Sequence, residues 1–471
     1  MALANIFHNR SLWFDEALLS LNIVGKSYSG LLKPLDDNQV APIGFLCVEK
    51  FISNLFGNSD WSLRIFPFFS FLLSIPLLYF LAIRLSDSKQ VALLSCVFFV
   101  FNYFIVYYSG EVKQYSSDVF VVLLLLYMGI KYSSLNDLKS IFWYSFIGSF
   151  AIFISNVSII ILFSNATLLM YNNYSKNKKI ISSSILPVLF WLFTFCSYYF
   201  LFIQHHPSKR SMLRYWQAKD AFMPTNPFKV DFILFFLSKL KMIFTDLVFI
   251  NEAGWFFIPV FILGIIKLLK NKKAILMISL PVIIHFLLSA LKLYPFHSRL
   301  ILYLVPLLLI VVSIGLFQFH SNVKKKFLKL SLVILFTPLI ISLLSMAKKI
   351  PIEKEEVKKC MSYINQDRTT IDCIYIYCSS APAFKFYKSS YSKLSNIDSC
   401  IFGDWHRDNW SLHANEVLSL KGNSWLVFSE VYRVDGKNEE EYIIDLLRSS
   451  GYRILQQKKY FGATCYQVYK H

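Results

Sequence analysis

Charge is what this chain has little of: Asp, Glu, Lys and Arg make up 16% of its 471 residues, against 55% hydrophobic and 17% aromatic. A soluble domain carries about a quarter of its residues as charged side chains. So apolar a chain cannot coat itself for water and needs lipid to face. Negative charge is scarcer still, with 29 carboxylates against 48 lysines and arginines and a net charge of +19. In a soluble protein that excess would point to nucleic acid. Here most cations sit in short loops between apolar runs, where they act as topology determinants. Zinc-type spacing, a glycine-rich phosphate loop, a catalytic-triad pattern, internal repeats and low-complexity tracts are also missing. Cysteines number eight, three in or beside apolar runs (Cys47, Cys96, Cys196) and five near the C-terminus (Cys360, Cys373, Cys378, Cys400, Cys465). An odd number in the tail leaves at least one thiol unpaired there. Cys373 and Cys378 fall on one expected strand and point to opposite faces, which argues against a bridge between them.

What is present is a series of long apolar runs: Arg64–Arg84, Val91–Tyr108, Val119–Lys131, Ile141–Ser155, Val157–Tyr171, Ile180–Gln204, Gly254–Lys270, Ala274–Leu291, Leu300–Phe317 and Phe327–Met346. They imply about ten spanning helices. Alternate loops carry Arg84 and Lys89, Lys131 and Lys139, Lys176, Lys178 and Lys179, Lys267, Lys270, Lys272 and Lys273, then Lys324, Lys325, Lys326 and Lys329. The short loops on the opposite side carry only Lys113, Lys292 and Arg299. The positive-inside rule puts the first set in the cytoplasm, and residues 1–63, 205–253 and everything after about 346 outside it. Met1–Arg10 is too short and too polar for a signal peptide or a span, so a helix that should carry it across is expected upstream of this start.

The expected architecture is therefore an all-α polytopic membrane domain over residues 1–346, with external loops 10–63 and 205–253, and a small extracytoplasmic α/β domain over 347–471. In the first loop two amphipathic stretches, Phe14–Ile23 and Ile43–Phe56, flank a turn-rich segment and read as helices on the membrane surface. In the second, Asp231–Ile250 reads as another interfacial helix. The tail pattern predicts helices at Glu353–Asn365, Leu412–Leu420 and Glu439–Ser450, with strands at Ile371–Cys378, Ser424–Ser429, Tyr452–Leu455 and Cys465–Tyr469.

Four external clusters can carry chemistry, each with a plainer reading beside it. The carboxylates of Trp13-Phe14-Asp15-Glu16 can serve as a base, or simply complement the dipole of a first helical turn. In Tyr107–Tyr115, Glu111 and Lys113 sit close to hydrocarbon, which is costly unless they serve a site or pair with each other. Lys292, His297 and Arg299 converge at the outer headgroup level, where an arginine can fork two phosphate oxygens or snorkel to lipid. Arg214, Tyr215 and Trp216 can stack on a sugar ring or anchor their loop.

Five stretches occur in order: Leu12-Trp13-Phe14-Asp15-Glu16-Ala17, Gln39–Phe45, Leu63-Arg64-Ile65-Phe66-Pro67, Tyr108–Tyr115 and Tyr294-Pro295-Phe296-His297-Ser298-Arg299. Together they resemble bacterial members of the GT-C glycosyltransferase superfamily, in the family 39 branch with protein O-mannosyltransferases and the lipid-A aminoarabinose transferase. The resemblance covers the whole membrane region, and the tail is similar to an extension of some members. It implies transfer of a sugar from a polyprenyl-phosphate donor to an external lipid, glycan or protein acceptor, in the plasma (inner) membrane, with inversion and without cofactor or metal. It further implies Asp15 as base with Glu16 orienting, Lys113, Arg299 and His297 on the donor phosphate, and Glu111, Tyr115, Gln39, Arg64 and Trp216 on substrate. Two features depart from the family. A spanning helix normally precedes the acidic loop, and the aminoarabinose transferases carry a phosphate-binding lysine in the segment matching Gln39–Pro42, where this chain has none.

Two other classes compete with an enzyme. A transporter or flippase for a polyprenyl-linked glycan would also have many spans and intramembrane charges, but the paired broken helices and inverted repeat that would favour it are not legible. A tail merely anchored by the membrane region would need one helix rather than ten.

Overall fold

Hydrocarbon offers no hydrogen bonds, so an apolar run crossing it must satisfy its own backbone as helix. In the computed structural model the runs from Arg64 to Phe317 are indeed largely helical. The structure describes residues 2–470 except 133–136, 175–177, 250–251, 323–335, 338–339, 342, 368–369, 398, 406–409 and 435. The expected span Phe327–Met346 and the lysines Lys324–Lys329 thus lie largely outside the described residues.

Two compact units emerge. One contains Met1–Ala2, Ser27–Gly57 and Ser62–Ile350; the other contains Leu3–Lys26, Asn58–Trp61 and Pro351–His471. The acidic segment around Asp15 is therefore grouped with the C-terminal residues rather than with the apolar helices.

In the first unit, helices cover Ile65–Ser86, Lys89–Val100, Tyr103–Ser109, Tyr115–Lys131, Leu138–Ile154, Ser158–Tyr174, Lys178–Tyr198, Phe257–Leu268, Lys272–Ala290 and Val305–Asn322. Among the described residues, four helical segments are long and apolar enough to cross a membrane by themselves, Ser62–Ser86, Ile185–Ile203, Lys272–Ala290 and Ser298–Asn322. A fifth arises if the bent pair Lys89–Val100 and Tyr103–Ser109 counts as one span. Other apolar helices, such as Leu138–Ile154, are shorter.

The expected unbroken run Val91–Tyr108 is corrected at this bend, where the two halves meet at 60°. Asn102 is the physical reason. Its Oδ1 accepts from the Ile105 backbone N at 3.0 Å, capping the second half, while its Nδ2 donates to the carbonyls of Leu247 at 2.7 Å and Val248 at 3.0 Å. A polar break deep in an apolar bundle survives when its groups are satisfied in this way. Asp231–Ile250 also differs from expectation: an α-helix over Val230–Lys241 passes into a π-helical turn over Met242–Val248. Ile43–Phe56 is helical as expected.

The most buried element of this unit is Val305–Asn322, whose residues Val305–Leu316 are all shielded. It packs on Phe257–Leu268 so closely that a Cβ at Gly315 would stand 1.9 Å from the Val260 carbonyl oxygen, and one at Gly264 would stand 2.1 Å from that of Val311. Small residues permit this backbone approach, which replaces a hydrophobic driving force that lipid does not supply.

The second unit holds the mixed sheet. Its strands are β1 (Cys373–Ile376), β2 (Cys400–Phe402), β3 (Gly422–Ser429), β4 (Arg433–Val434), β5 (Lys437–Asn438), β6 (Arg453–Tyr460) and β7 (Ala463–Lys470), with β4 and β5 forming a separate ribbon. The five-stranded order is β2-β1-β3-β7-β6; β1 runs parallel to β2 and β3, and β7 antiparallel to β3 and β6. Helices cover Val357–Gln366, Ala381–Tyr387, Trp410–Leu418 and Glu439–Ser449. All of β1 and most of β3 are buried, as parallel strands covered on both faces must be. The outer strand β6 is largely exposed and carries Lys458 and Lys459, which discourage edge-to-edge pairing. The helix Phe14–Gly25 belongs to this unit and packs on Ala381–Tyr387.

Candidate functional site

In the first unit the turn between Tyr103–Ser109 and Tyr115–Lys131 is five residues long, so it holds charged side chains at the ends of two apolar helices. Glu111, Lys113, Tyr108 and Tyr115 are all buried there. Tyr107 donates its hydroxyl to Glu111 Oε1 at 2.8 Å. Lys113 Nζ donates to Gln39 Oε1 at 3.0 Å, so a neutral amide orients the buried ammonium.

A second group forms around Arg299. Its guanidinium carbon lies 5.8 Å from the ring centre of Tyr115 and 5.5 Å from that of Trp216, within cation–π range of both. Trp216, on the helix Lys209–Gln217, also packs against the His297 ring at 5.3 Å. Tyr108 and Tyr115 meet edge to face at 4.9 Å, which connects the two groups. Tyr108 in turn feels the charges of both Glu111 and Arg299.

His297 ionises only near pH 4, well below its ordinary value, because burial disfavours the imidazolium and Lys239, Arg299 and Lys219 repel it. Lys239 is itself buried, and its Nζ donates to the Asp220 carbonyl at 2.7 Å. The consequence is a neutral imidazole among cations, an arrangement that favours an anion.

The loop carrying these groups is pinned from below. His285 is fully buried and joins Tyr303 Oη at 2.8 Å through Nδ1 and the Pro295 carbonyl at 3.0 Å through Nε2. The Phe296 backbone N donates to the Ala221 carbonyl at 2.7 Å. Ser208 Oγ donates to Asn38 Oδ1 at 3.1 Å, tying the long loop to the residue before Gln39.

Of the sequence-derived candidates, the structure gathers Gln39 with Lys113, and Tyr115, Trp216 and His297 with Arg299. Arg64 is buried at the head of the helix Ile65–Ser86. Asp15 and Glu16 fall in the second unit, in the first turn of Phe14–Gly25. Glu16 is fully buried and paired with Arg10 at 2.8 Å; it also caps its own helix from beneath Trp13. Asp15 is only half-buried. Sequence reasoning missed Lys239 and Lys219. The one signal for Lys239 was a lysine in the apolar stretch Phe235-Phe236-Leu237-Ser238-Lys239-Leu240.

Residues 40–209 match the family model described as dolichyl-phosphate-mannose-protein mannosyltransferase. Two solved structures of ArnT from Cupriavidus metallidurans resemble the chain, one bound to undecaprenyl phosphate with a TM-score of 0.58 and one in the apo state with 0.56. Each is 11% identical and aligns over 99% of this chain and 96% of its own. No curated protein matches the chain in sequence. The chain therefore has the GT-C-type fold of ArnT and is a multi-pass membrane protein, in agreement with the resemblance carried by the five motifs.

Proposed function

We propose that this chain, with its GT-C-type membrane fold, is a glycosyltransferase that moves a sugar from a polyprenyl-phosphate donor to an acceptor outside the cytoplasm. The observation that carries the reading is the set of cations at the Tyr294–Arg299 loop. Arg299 is braced by Tyr115 and Trp216, and its charge and that of the buried Lys239 both act on His297, which is held neutral. The undecaprenyl phosphate in the ArnT structure of the same fold supports a lipid-phosphate ligand for that cluster.

The chemistry follows from the change in charge. An acceptor hydroxyl oxygen attacks the anomeric carbon, its proton passes to a carboxylate, and the bond from that carbon to the phosphate oxygen breaks. The donor phosphodiester carries one negative charge, and the departing monoester carries nearly two. Fixed cations therefore stabilise the transition state more than the bound donor, which is what catalysis requires. Arg299 and Lys113 fill that role, with Gln39 holding Lys113 in place and the neutral imidazole of His297 offering a hydrogen bond to the same phosphate. Glu111, Tyr115, Arg64 and Trp216 remain the candidates for sugar contact.

Asp15 is the base on the strength of its motif and its chemical type. Its neighbour Glu16 is already committed to Arg10, which leaves it the orienting part. Attack from the face opposite the phosphate inverts the anomeric configuration. The loop charges favour an inner-membrane protein with its C-terminal residues outside the cytoplasm. The test is to incubate purified full-length protein with a polyprenyl-phosphate sugar and acceptor membranes. Release of polyprenyl phosphate is expected; its absence with every donor sugar tried would overturn the proposal.

A further inference from the structure

We propose that His8, Glu353 and Glu356 form a site for one divalent transition-metal ion of the zinc class, within the unit that carries the sheet. This inference is independent of the proposed transfer reaction. His8 ends the helix Ala2–His8, and the two glutamates lie just before and beside the start of Val357–Gln366. One ligand atom from each of the three lies within 4.8 Å of the others. Tetrahedral zinc at its usual 2.0–2.2 Å from nitrogen and oxygen keeps its ligand atoms about 3.3–3.6 Å apart, so side-chain rotations that draw the three atoms together by roughly 1 Å close the set.

Proximity of acidic groups alone would carry nothing. The second observation is that Glu356 is 1% exposed and its Oε1 has no hydrogen-bond partner among the described residues. The other oxygen, Oε2, accepts from Ser11 Oγ at 3.3 Å. His8 Nε2 is likewise shielded and without a hydrogen bond, at 3.9 Å from Glu353 Oε1. A buried carboxylate and an imidazole, each with a shielded atom that makes no hydrogen bond and each with a ligand atom in the same 4.8 Å group, suit a shared cation.

Lys359 now supplies the counter-charge, with Nζ 3.0 Å from Glu353 Oε1 and 3.8 Å from Glu356 Oε2. Its side chain is 40% exposed and can swing into water when an ion enters. One imidazole with two carboxylates suits zinc, manganese or iron better than calcium or magnesium, which prefer all-oxygen sets. Three protein ligands leave the fourth position to water. Such an ion would clip residue 8 to residues 353 and 356 and steady the short segment leading to Arg10 and the acidic turn; its role is to brace, not to react.

The test uses full-length protein in detergent, stripped by a chelator and titrated with zinc ion alone, read by calorimetry and thermal unfolding. One equivalent is expected to bind and raise the melting temperature. Glu356→Gln and His8→Ala are each expected to weaken binding roughly tenfold or more, whereas Lys359→Met should tighten it by removing the competing ammonium. His8 is partly exposed at a helix end, so His8→Ala keeps the test readable if Glu356→Gln fails to fold. A wild-type protein that takes up no stoichiometric zinc, or zinc binding that survives His8→Ala undiminished, would overturn the site.

Discussion

Arg10 Nη1 lies 2.8 Å from Glu16 Oε2 in a pair almost sealed from water, with 5% and 0% of the two side chains exposed. Removing one member strands the other charge in a low-dielectric setting, at a cost of about 3–5 kcal/mol. Arg10→Met is therefore expected to lower the thermal unfolding midpoint of the full-length protein clearly. An unchanged midpoint would mean that the pair contributes nothing to holding the acidic turn.

Because Glu16 is committed to Arg10, the base prediction rests on Asp15. Asp15→Asn should abolish sugar transfer and leave donor binding largely intact, since an amide keeps the shape but accepts no proton. If Asp15 were only a first-turn helix acid, the change would cost about 1 kcal/mol or less of local stability and turnover would persist. Single-turnover assays on correctly inserted protein decide between the two.

The Lys113–Gln39 contact predicts a specific non-additivity. Gln39→Ala should weaken donor binding several-fold in the wild type and have almost no effect once Lys113 is already alanine, because its influence acts through the ammonium it orients. Independent, additive losses in a double-mutant cycle would show that Gln39 meets substrate by itself.

Arg299 is gripped by two aromatic rings, so charge alone should not replace it. Arg299→Lys keeps the charge but loses the planar stacking on Tyr115 and Trp216, and is expected to lower kcat/KM roughly tenfold, with Arg299→Ala falling about a further tenfold. Equal activity of the lysine variant and wild type would reduce Arg299 to a point charge.

His297 gives a pH signature. With ionisation near pH 4 it stays neutral well into acid, whereas an ordinary histidine at 6.5 becomes mostly charged by pH 5.5. Diethyl pyrocarbonate attacks only neutral imidazole, so an ordinary histidine should slow about eightfold between pH 7 and pH 5.5. The His297 peptide, followed by mass spectrometry, should hardly slow. Lys239→Met removes one repelling charge and should restore part of the ordinary slowing. A wild-type His297 that slows like the exposed histidines would remove the cationic crowding from the account.

Much of the architecture was legible in residue type. The runs from Arg64 to Phe317 had to be helical because lipid leaves a backbone no other partner, and the tail strands Ser424–Ser429 and Cys465–Tyr469 declared themselves as compact apolar segments bounded by polar turns. The short elements Ala381–Tyr387 and Cys400–Phe402 were not foreseen. The first follows Ser379-Ser380 and contains Pro382 in its opening turn, and the second spans three residues, too few for a periodic pattern to register.

The sequence by itself determined that this chain lives in a membrane, that its cations gather in loops between apolar runs, and that acidic, tyrosine-rich and basic motifs stand in a set order along it. These are properties of composition and local pattern, and hydration energy acts on them residue by residue. Only the tertiary structure decided which charges meet. The break at Asn102 depends on carbonyls 145 and 146 residues away, Lys113 finds Gln39 at a separation of 74, and Lys239 is turned inward to crowd His297. Glu16 is spent on Arg10, while its neighbour Asp15 stays half-buried, a distinction set by which side of one helical turn faces the core. Such pairings are long-range because the cost of burying a charge is relieved only by a partner that folding brings to it.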